Sequence, residues 1–169
     1  ASEWYPRLMH LPGHEAYKHH LQTYGKLSEF GYHDFVPMFK AEKFDPEEWV
    51  DLFERTGARF AGPVAEHHDG FSMWDSDVTP WNVADMGPKR DTLKEWKAAA
   101  YKHGLKFGVS THLYWSPRFF KTARQYYQPG TLEGKLINID FDPKNYSRQD
   151  SWNQHWYDRC WEIIEKYDP

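Results

Sequence analysis

Four ionisable side chains stand in a row in the run Glu66-His67-His68-Asp69, which follows a short apolar segment and precedes Gly70. The glycine allows the backbone to turn sharply there. Imidazoles can hydrogen-bond sugar hydroxyls, ligate a metal ion, or be satisfied by neighbouring backbone groups. Adjacent side chains of a strand point to opposite faces, so the histidine pair alone is a weak metal signal. All three interpretations stay open at this stage.

Two further places carry residues of similar chemistry. His112 lies seven residues after Leu105, at the end of a second candidate strand. Glu3 and Trp4 combine a carboxylate that accepts hydroxyl hydrogen bonds with a ring that can stack on a sugar. Aromatic residues make up 18% of the chain, with 9 Trp, 11 Tyr and 11 Phe beside 10 His. This composition favours a carbohydrate ligand.

Charge and cysteine usage exclude several classes of partner. The formal net charge is −4, so a phosphate backbone has no electrostatic reason to bind, and we expect no nucleic acid. We also expect no membrane, because no apolar run reaches the 18 or so residues of a span. The single cysteine, Cys160, cannot form an intrachain disulfide and is expected to be a buried, inert thiol.

The elements that position these residues alternate along the chain. Asp45 before Pro46, and Asp91 before an alanine-rich stretch, have the form of helix starts. The stretch Asp34–Phe39 contains Pro37 and is predicted to be a loop. The periodicity predicts helices over residues 13–25, 46–56, 91–101 and 150–167, strands over 58–65 and 105–111, and a possible short strand over 136–141.

Helix–strand pairs repeating at this spacing are typical of a parallel α/β sheet, either a (β/α) barrel or an open doubly wound sheet. At 169 residues the chain can hold only part of an eight-unit barrel, which typically needs about 250. In both architectures the site lies at the carboxyl ends of the strands. The last helix is expected to bury a face made of Trp152, Trp156, Cys160 or Trp161, and Ile164.

Five segments resemble, in order, the glycoside hydrolase family 29 α-L-fucosidases, and together they are highly specific. The similarity runs over nearly the whole chain and is least characteristic at residues 113–149. The segments are Glu3-Trp4-Tyr5, YHDFVPMFKAEKFDPEEWVDLFERTGARF at 32–60, EHHDGFSMWDS at 66–76, GPKRD at 87–91 and GLKFGVS at 104–110.

The resemblance implies a retaining exo-glycosidase that removes terminal α-L-fucose, and it implies neither a cofactor nor a metal. Its fold would be a partial (β/α)8 TIM-type barrel, about the first half of the catalytic barrel. The family's sugar-contacting pairs map onto His67 and His68 and onto Glu3 and Trp4. His112 stands where many members have a tyrosine-rich sequence, and we add it as a hypothetical substrate contact.

The departures from the family concern both ends of the chain. A strand ending in a His-Trp pair would precede Ala1, and the nucleophilic aspartate is expected beyond Pro169. We therefore expect residues 1–169 to be a catalytic barrel domain truncated at both ends, with its catalytic residues unknown. Glu66 and Asp69 remain possible carboxylates, but neither is assigned as nucleophile.

The expected partner is a fucosylated glycan or a small fucoside, in a secreted, periplasmic or lysosomal setting. A lone chain would expose strand edges, so we also expect an oligomer or a remaining barrel segment to cover them. Two alternatives remain open. One is a non-catalytic fucose- or carbohydrate-binding module, and the other is a metal-dependent barrel hydrolase using His67, His68 and His112.

Overall fold

The computed structural model describes residues 3–127 and 146–169. Short strands alternate with helices that pack on one side of them. The helices are α1 (Tyr5–Leu8), α2 (Glu15–Thr23), α3 (Pro46–Arg55), α4 (Thr92–Lys102), α5 (Ser116–Phe119) and α6 (Tyr146–Tyr167), and the strands are β1 (Phe60–Ala61), β2 (Val64–Glu66), β3 (Lys106–Phe107) and β4 (Ser110–Thr111). Short 3-10 helices cover Tyr32–Met38, Leu113–Trp115 and Ala123–Gln125.

Two helices begin where the sequence predicts. The Asp45 side chain accepts a hydrogen bond from the backbone N–H of Glu48 at 3.1 Å, and Asp91 does the same for Lys94 at 2.9 Å. Each carboxylate satisfies a helix N–H that has no intrahelical partner. The predictions of helices near 13–25, 46–56 and 91–101 are confirmed, with ends shifted by a few residues.

The strands pair in parallel, as expected of helix–strand units. β1 pairs with β3 and β2 pairs with β4. Each predicted strand is broken into two, and Gly62 lies at one of the breaks. A Cβ at Gly62 would lie 2.2 Å from the carbonyl oxygen of Gly108, so only glycine permits this close approach of the two backbone segments.

The main core lies between the strands and α3, α4 and α6. Ala61 and Ala65 of the strands are buried in it, while Phe60 and Val64 are exposed. A second core lies among the loops that follow the strands. The main core consists of Val50, Ala61, Ala65, Trp74, Leu93, Trp96, Ala99, Ala100, Leu105, Phe107, Ile163 and Tyr167.

The prediction of a loop at Asp34–Phe39 is wrong, because these residues belong mainly to a 3-10 helix. Pro37 argues against a central strand, but its fixed φ is compatible with either a loop or a short helical turn. The Asp34 carboxylate accepts from the Gly31 backbone N–H at 2.7 Å and holds the start of this helix. The possible strand at 136–141 lies outside the described residues.

The final helix is confirmed, but the predicted buried face is only partly right. Trp152 is buried as expected, whereas Trp161 and Ile164 are about half exposed. Arg159 and Glu162 are buried in their place, because each finds hydrogen-bond partners in the segment after β2. Among the residues described, no helix has the length and apolar character needed to cross a membrane.

Candidate functional site

The pairing of β2 with β4 brings the predicted histidines together. The His112 backbone N–H donates to the Glu66 carbonyl at 3.0 Å, which places the two strand ends side by side. The ring centroids of His67 and His112 are 4.8 Å apart, and those of His67 and His68 are 4.6 Å apart. One ring nitrogen from each of the three histidines lies within 4.8 Å of the others.

Backbone contacts fix the position of His68. Its Nδ1 lies 2.5 Å from the His112 carbonyl oxygen, so Nδ1 carries the proton and Nε2 is left with a free lone pair. The Ser116 hydroxyl donates to the His68 carbonyl at 2.6 Å. Partial burial lowers the pKa of His68, and the nearby imidazoles of His67 and His112 lower it further. The lowered pKa favours the neutral form of this ring.

His67 and His112 differ from His68 because no described residue hydrogen-bonds to their ring nitrogens. Both side chains are half-buried, so their rings are partly exposed to solvent. Polar groups in this situation can bond to an external ligand without first breaking a protein contact.

Aromatic rings form a wall beside the histidines. The centroid of Trp115 lies 5.3 Å from that of His68, and Phe119 lies at the same distance. Trp4 completes the wall, 5.9 Å from Trp115 and 5.6 Å from Phe119. The Arg7 guanidinium lies 5.1 Å from the Trp115 ring centroid, as in a cation–π contact.

The predicted pair Glu3 and Trp4 lies at this same place. The Trp4 indole N–H donates to the Glu3 carboxylate at 3.1 Å, and both residues are exposed. Trp4 reaches the histidines directly, with its ring 6.2 Å from that of His68. All five residues singled out from the sequence thus gather at the carboxyl ends of β2 and β4.

The two nearby carboxylates are already engaged within the protein. The Tyr32 hydroxyl donates to Asp69 at 2.5 Å, and the Phe71 backbone N–H donates to the other carboxylate oxygen at 3.3 Å. Burial, followed by the Asp69 charge, raises the pKa of Tyr32 well above its usual value, so the phenol remains a donor. Glu66 is 1% exposed and forms a salt bridge with Arg159 of α6.

Arg159 joins the end of β2 to the loop that follows it. Besides its contact with Glu66, it donates to the Gly70 carbonyl at 3.0 Å and to the Ser72 hydroxyl at 2.6 Å. Burial raises the pKa of Glu66 and the Arg159 charge opposes that rise. These contacts hold the backbone on both sides of the histidine pair.

The sequence reasoning missed this role of Arg159. A signal was present, because Arg159 falls seven residues after Trp152 and four before Ile163, on the buried side of α6. A charged residue on an apolar helical face indicates a buried partner. Glu162 gives the same signal, and it accepts from the Trp74 indole N–H at 2.8 Å and from the Ser76 hydroxyl at 2.7 Å.

Two tryptophans that follow β2 in sequence, Trp74 and Trp81, are buried in the two cores. Trp115, by contrast, lies against the histidines. His20 is a packing residue, because it is fully buried and hydrogen-bonded to Tyr5 and Phe30.

Comparison with known proteins gives a consistent result. The sequence profile of the alpha-L-fucosidase family matches residues 1–169. Tissue alpha-L-fucosidase of Rattus norvegicus is 44% identical over 143 residues, covering 82% of this chain and 30% of the relative, and that of Homo sapiens is 32% identical with the same coverage. The chain therefore spans about a third of the length of these relatives.

Solved structures give the same relationship. Thermotoga maritima alpha-fucosidase in complex with a mechanism-based inhibitor superposes with a TM-score of 0.73 at 33% identity, covering 99% of this chain and 36% of that one. A structure of the same enzyme in complex with fucose matches equally well. With its helix–strand order and the histidine cluster at the strand ends, this chain belongs to the alpha-L-fucosidase family.

Proposed function

We propose that this chain forms the fucose-contacting part of a retaining exo-α-L-fucosidase that removes terminal α-L-fucose from glycans or small fucosides. The observation that carries the proposal is the open histidine cluster beside an aromatic wall, in a chain matched along its length by the fucosidase family. The structure of a relative in complex with fucose supports this choice of sugar.

The residues at the strand ends have the chemistry that a deoxy sugar requires. The free nitrogens of His67 and His112 and the Nε2 atom of His68 would hydrogen-bond ring hydroxyls. The Trp4 and Trp115 rings would pack against the apolar C–H face and the methyl group of fucose. The exposed Glu3 carboxylate would accept a further hydroxyl hydrogen bond.

In this proposal Glu66 and Asp69 have structural roles. Retaining hydrolysis needs a nucleophile and an acid/base whose carboxyl groups lie about 5–5.5 Å apart. Asp69 is committed to Tyr32, and Glu66 is buried against Arg159. In this proposal the nucleophilic aspartate belongs to a strand that follows α6, as the family resemblance implies.

The proposal includes a (β/α)8 barrel in the parent protein. Phe60 and Val64 support it, since these apolar strand residues are 66% and 45% exposed. In a closed barrel the strands are covered by one another's side chains and by the surrounding helices.

The test is titration of the purified chain with L-fucose by calorimetry, together with release of 4-nitrophenol from 4-nitrophenyl α-L-fucoside. D-Fucose is the matched control, because it has the same groups in mirror-image arrangement. The expected result is binding of L-fucose but not D-fucose, and its loss in His67→Ala/His68→Ala. The exposed His19→Ala variant should bind as the wild type does.

The two readouts separate the sugar pocket from the metal-dependent hydrolase. Selective binding that depends on the histidines, without turnover, supports the sugar contacts in this chain and is the result expected both of a fucosidase whose nucleophile lies elsewhere and of a non-catalytic binding module. Turnover that is lost in chelator and restored by a metal would instead establish the metal-dependent hydrolase. Failure to distinguish the two enantiomers, or binding unaffected by the double substitution, would exclude the proposed pocket.

A further inference from the structure

The histidine cluster has the arrangement of a metal site as well as a sugar site. Three imidazoles from two strand ends approach one another, and no described carboxylate joins them in the cluster. Three neutral imidazoles with an open fourth position are a known ligand set for Zn²⁺. We propose that His67, His68 and His112 bind one divalent transition-metal ion of the Zn²⁺ type, which competes with the sugar.

The contact between His68 and the His112 carbonyl supports this inference. A histidine that ligates a metal through one ring nitrogen usually donates its other N–H to a carbonyl or carboxylate, which fixes the tautomer. His68 already has this arrangement, with Nδ1 bonded to the His112 carbonyl at 2.5 Å and Nε2 available. The supporting contact therefore exists before any ion binds.

The distances require a modest closure of the cluster. The nitrogens lie within 4.8 Å of one another, whereas two nitrogens at about 2.0–2.1 Å from a tetrahedral ion are roughly 3.4 Å apart. The rings of His67 and His112 can rotate to close this gap, because no hydrogen bond to a described residue holds them. His68 serves as the fixed point.

The ligand type selects the ion. Imidazole suits Zn²⁺, Cu²⁺ and Ni²⁺, while Mg²⁺ and Ca²⁺ prefer oxygen ligands. The neighbouring carboxylates are engaged elsewhere, since Asp69 bonds to Tyr32 and Glu66 pairs with Arg159. We therefore expect binding of Zn²⁺ and no measurable effect of Mg²⁺.

Competition follows from shared atoms. The lone pairs that would hold the ion are those that would accept sugar hydroxyls, so both ligands cannot occupy them together. This part of the inference rests on the proposed function, whereas metal binding itself does not. The ion would act as an inhibitor of sugar binding rather than as a cofactor.

The experiment titrates chelator-treated chain with Zn²⁺ by calorimetry, with His67→Ala and His112→Ala as test variants and His19→Ala as control. We expect one equivalent of Zn²⁺ to bind. Binding should be at least about tenfold weaker in each test variant, because even the loss of a residue that only supports a ligand weakens metal affinity by about that factor. Co²⁺ on the wild type provides a second measurement, because tetrahedral nitrogen coordination gives strong visible absorption that Zn²⁺ should abolish.

The outcomes separate this inference from the proposed function. No Zn²⁺ binding to the wild type, or equal binding in both test variants, overturns the metal site even where L-fucose binds. Zn²⁺ binding that depends on the histidines while L-fucose fails to bind in chelator retains the site and rejects both the competition and the proposed function. Simultaneous binding of Zn²⁺ and L-fucose overturns the competition alone.

Discussion

Histidines occupy two contrasting regions of this protein. In the amino-terminal region His10 and His20 are fully buried, and every ring nitrogen has a partner. The partners of His10 are the Pro6 carbonyl at 2.6 Å and the Tyr127 hydroxyl at 2.9 Å. Those of His20 are the Tyr5 hydroxyl at 3.1 Å and the Phe30 carbonyl at 2.9 Å.

At the strand ends the same residue type is left incomplete. Of the ring nitrogens of His67, His68 and His112, only Nδ1 of His68 bonds to a described residue. A buried polar group without a partner costs free energy, whereas a solvent-facing one can bond to water until a ligand arrives. Histidines whose ring nitrogens are hydrogen-bonded within the protein therefore stabilise the fold, while those with unbonded ring nitrogens are available for binding.

Glu66 directly precedes the open histidines but is itself buried and forms an ion pair with Arg159, which also bonds to Gly70 and Ser72. The pair is not fully satisfied, since Glu66 Oε1 and Arg159 Nε have no hydrogen-bond partner among the described residues. The open histidines thus lie next to a buried ion pair. The comparison predicts that substitutions of the buried, paired side chains reduce stability, and that substitutions of the open histidines reduce ligand binding.

The largest expected effect is that of Arg159→Met. Removing one partner of a buried ion pair leaves an uncompensated charge, at a cost of about 3–5 kcal/mol in the free energy of unfolding. Urea titration would measure it. Arg55→Met is the matched control, because Arg55 pairs with Asp51 on the surface, and we expect a change under about 1 kcal/mol. Similar losses in both variants would refute the distinction between buried and exposed charges.

A smaller effect concerns the pH dependence of stability through His10. Burial, the main cause, lowers its pKa from 6.5 to about 4. Because the folded pKa lies below the unfolded value, this contribution is fully present above pH 6.5 and is lost as the pH falls toward 4, by about 3 kcal/mol. Unfolding free energies measured from pH 7 to pH 4 should fall more steeply in the wild type than in His10→Gln. Parallel curves would contradict the assignment.

The smallest expected effect on stability is at the open site. His67→Ala and His112→Ala remove side chains whose ring nitrogens bond to no described residue, so unfolding free energies should change by about 0.5 kcal/mol or less. L-Fucose affinity should nevertheless fall. A loss of stability comparable to that of His10→Ala would show that the cluster is structural, like the buried histidines.

Local features of the fold were predictable because their causes lie within a few residues. Asp45 and Asp91 cap helices through backbone groups three residues away. The alanine-rich stretch after Asp91 predicted helix α4, and the polar run after β2 indicated the position of the site. One exception was equally local in cause, since Pro37 predicts a loop but lies in a 3-10 helix.

The helix starts, the helix–strand alternation and the residue types at the strand ends could be predicted from the sequence. Which of these groups contact one another depends on the tertiary structure. The His112 carbonyl fixes His68 across 44 residues, and Arg159 reaches Glu66 across 93. Such contacts depend on the register of parallel strands and the docking of a helix, which no short-range spacing encodes. The histidine pair could therefore be predicted from the sequence, whereas the tertiary contacts around it could not.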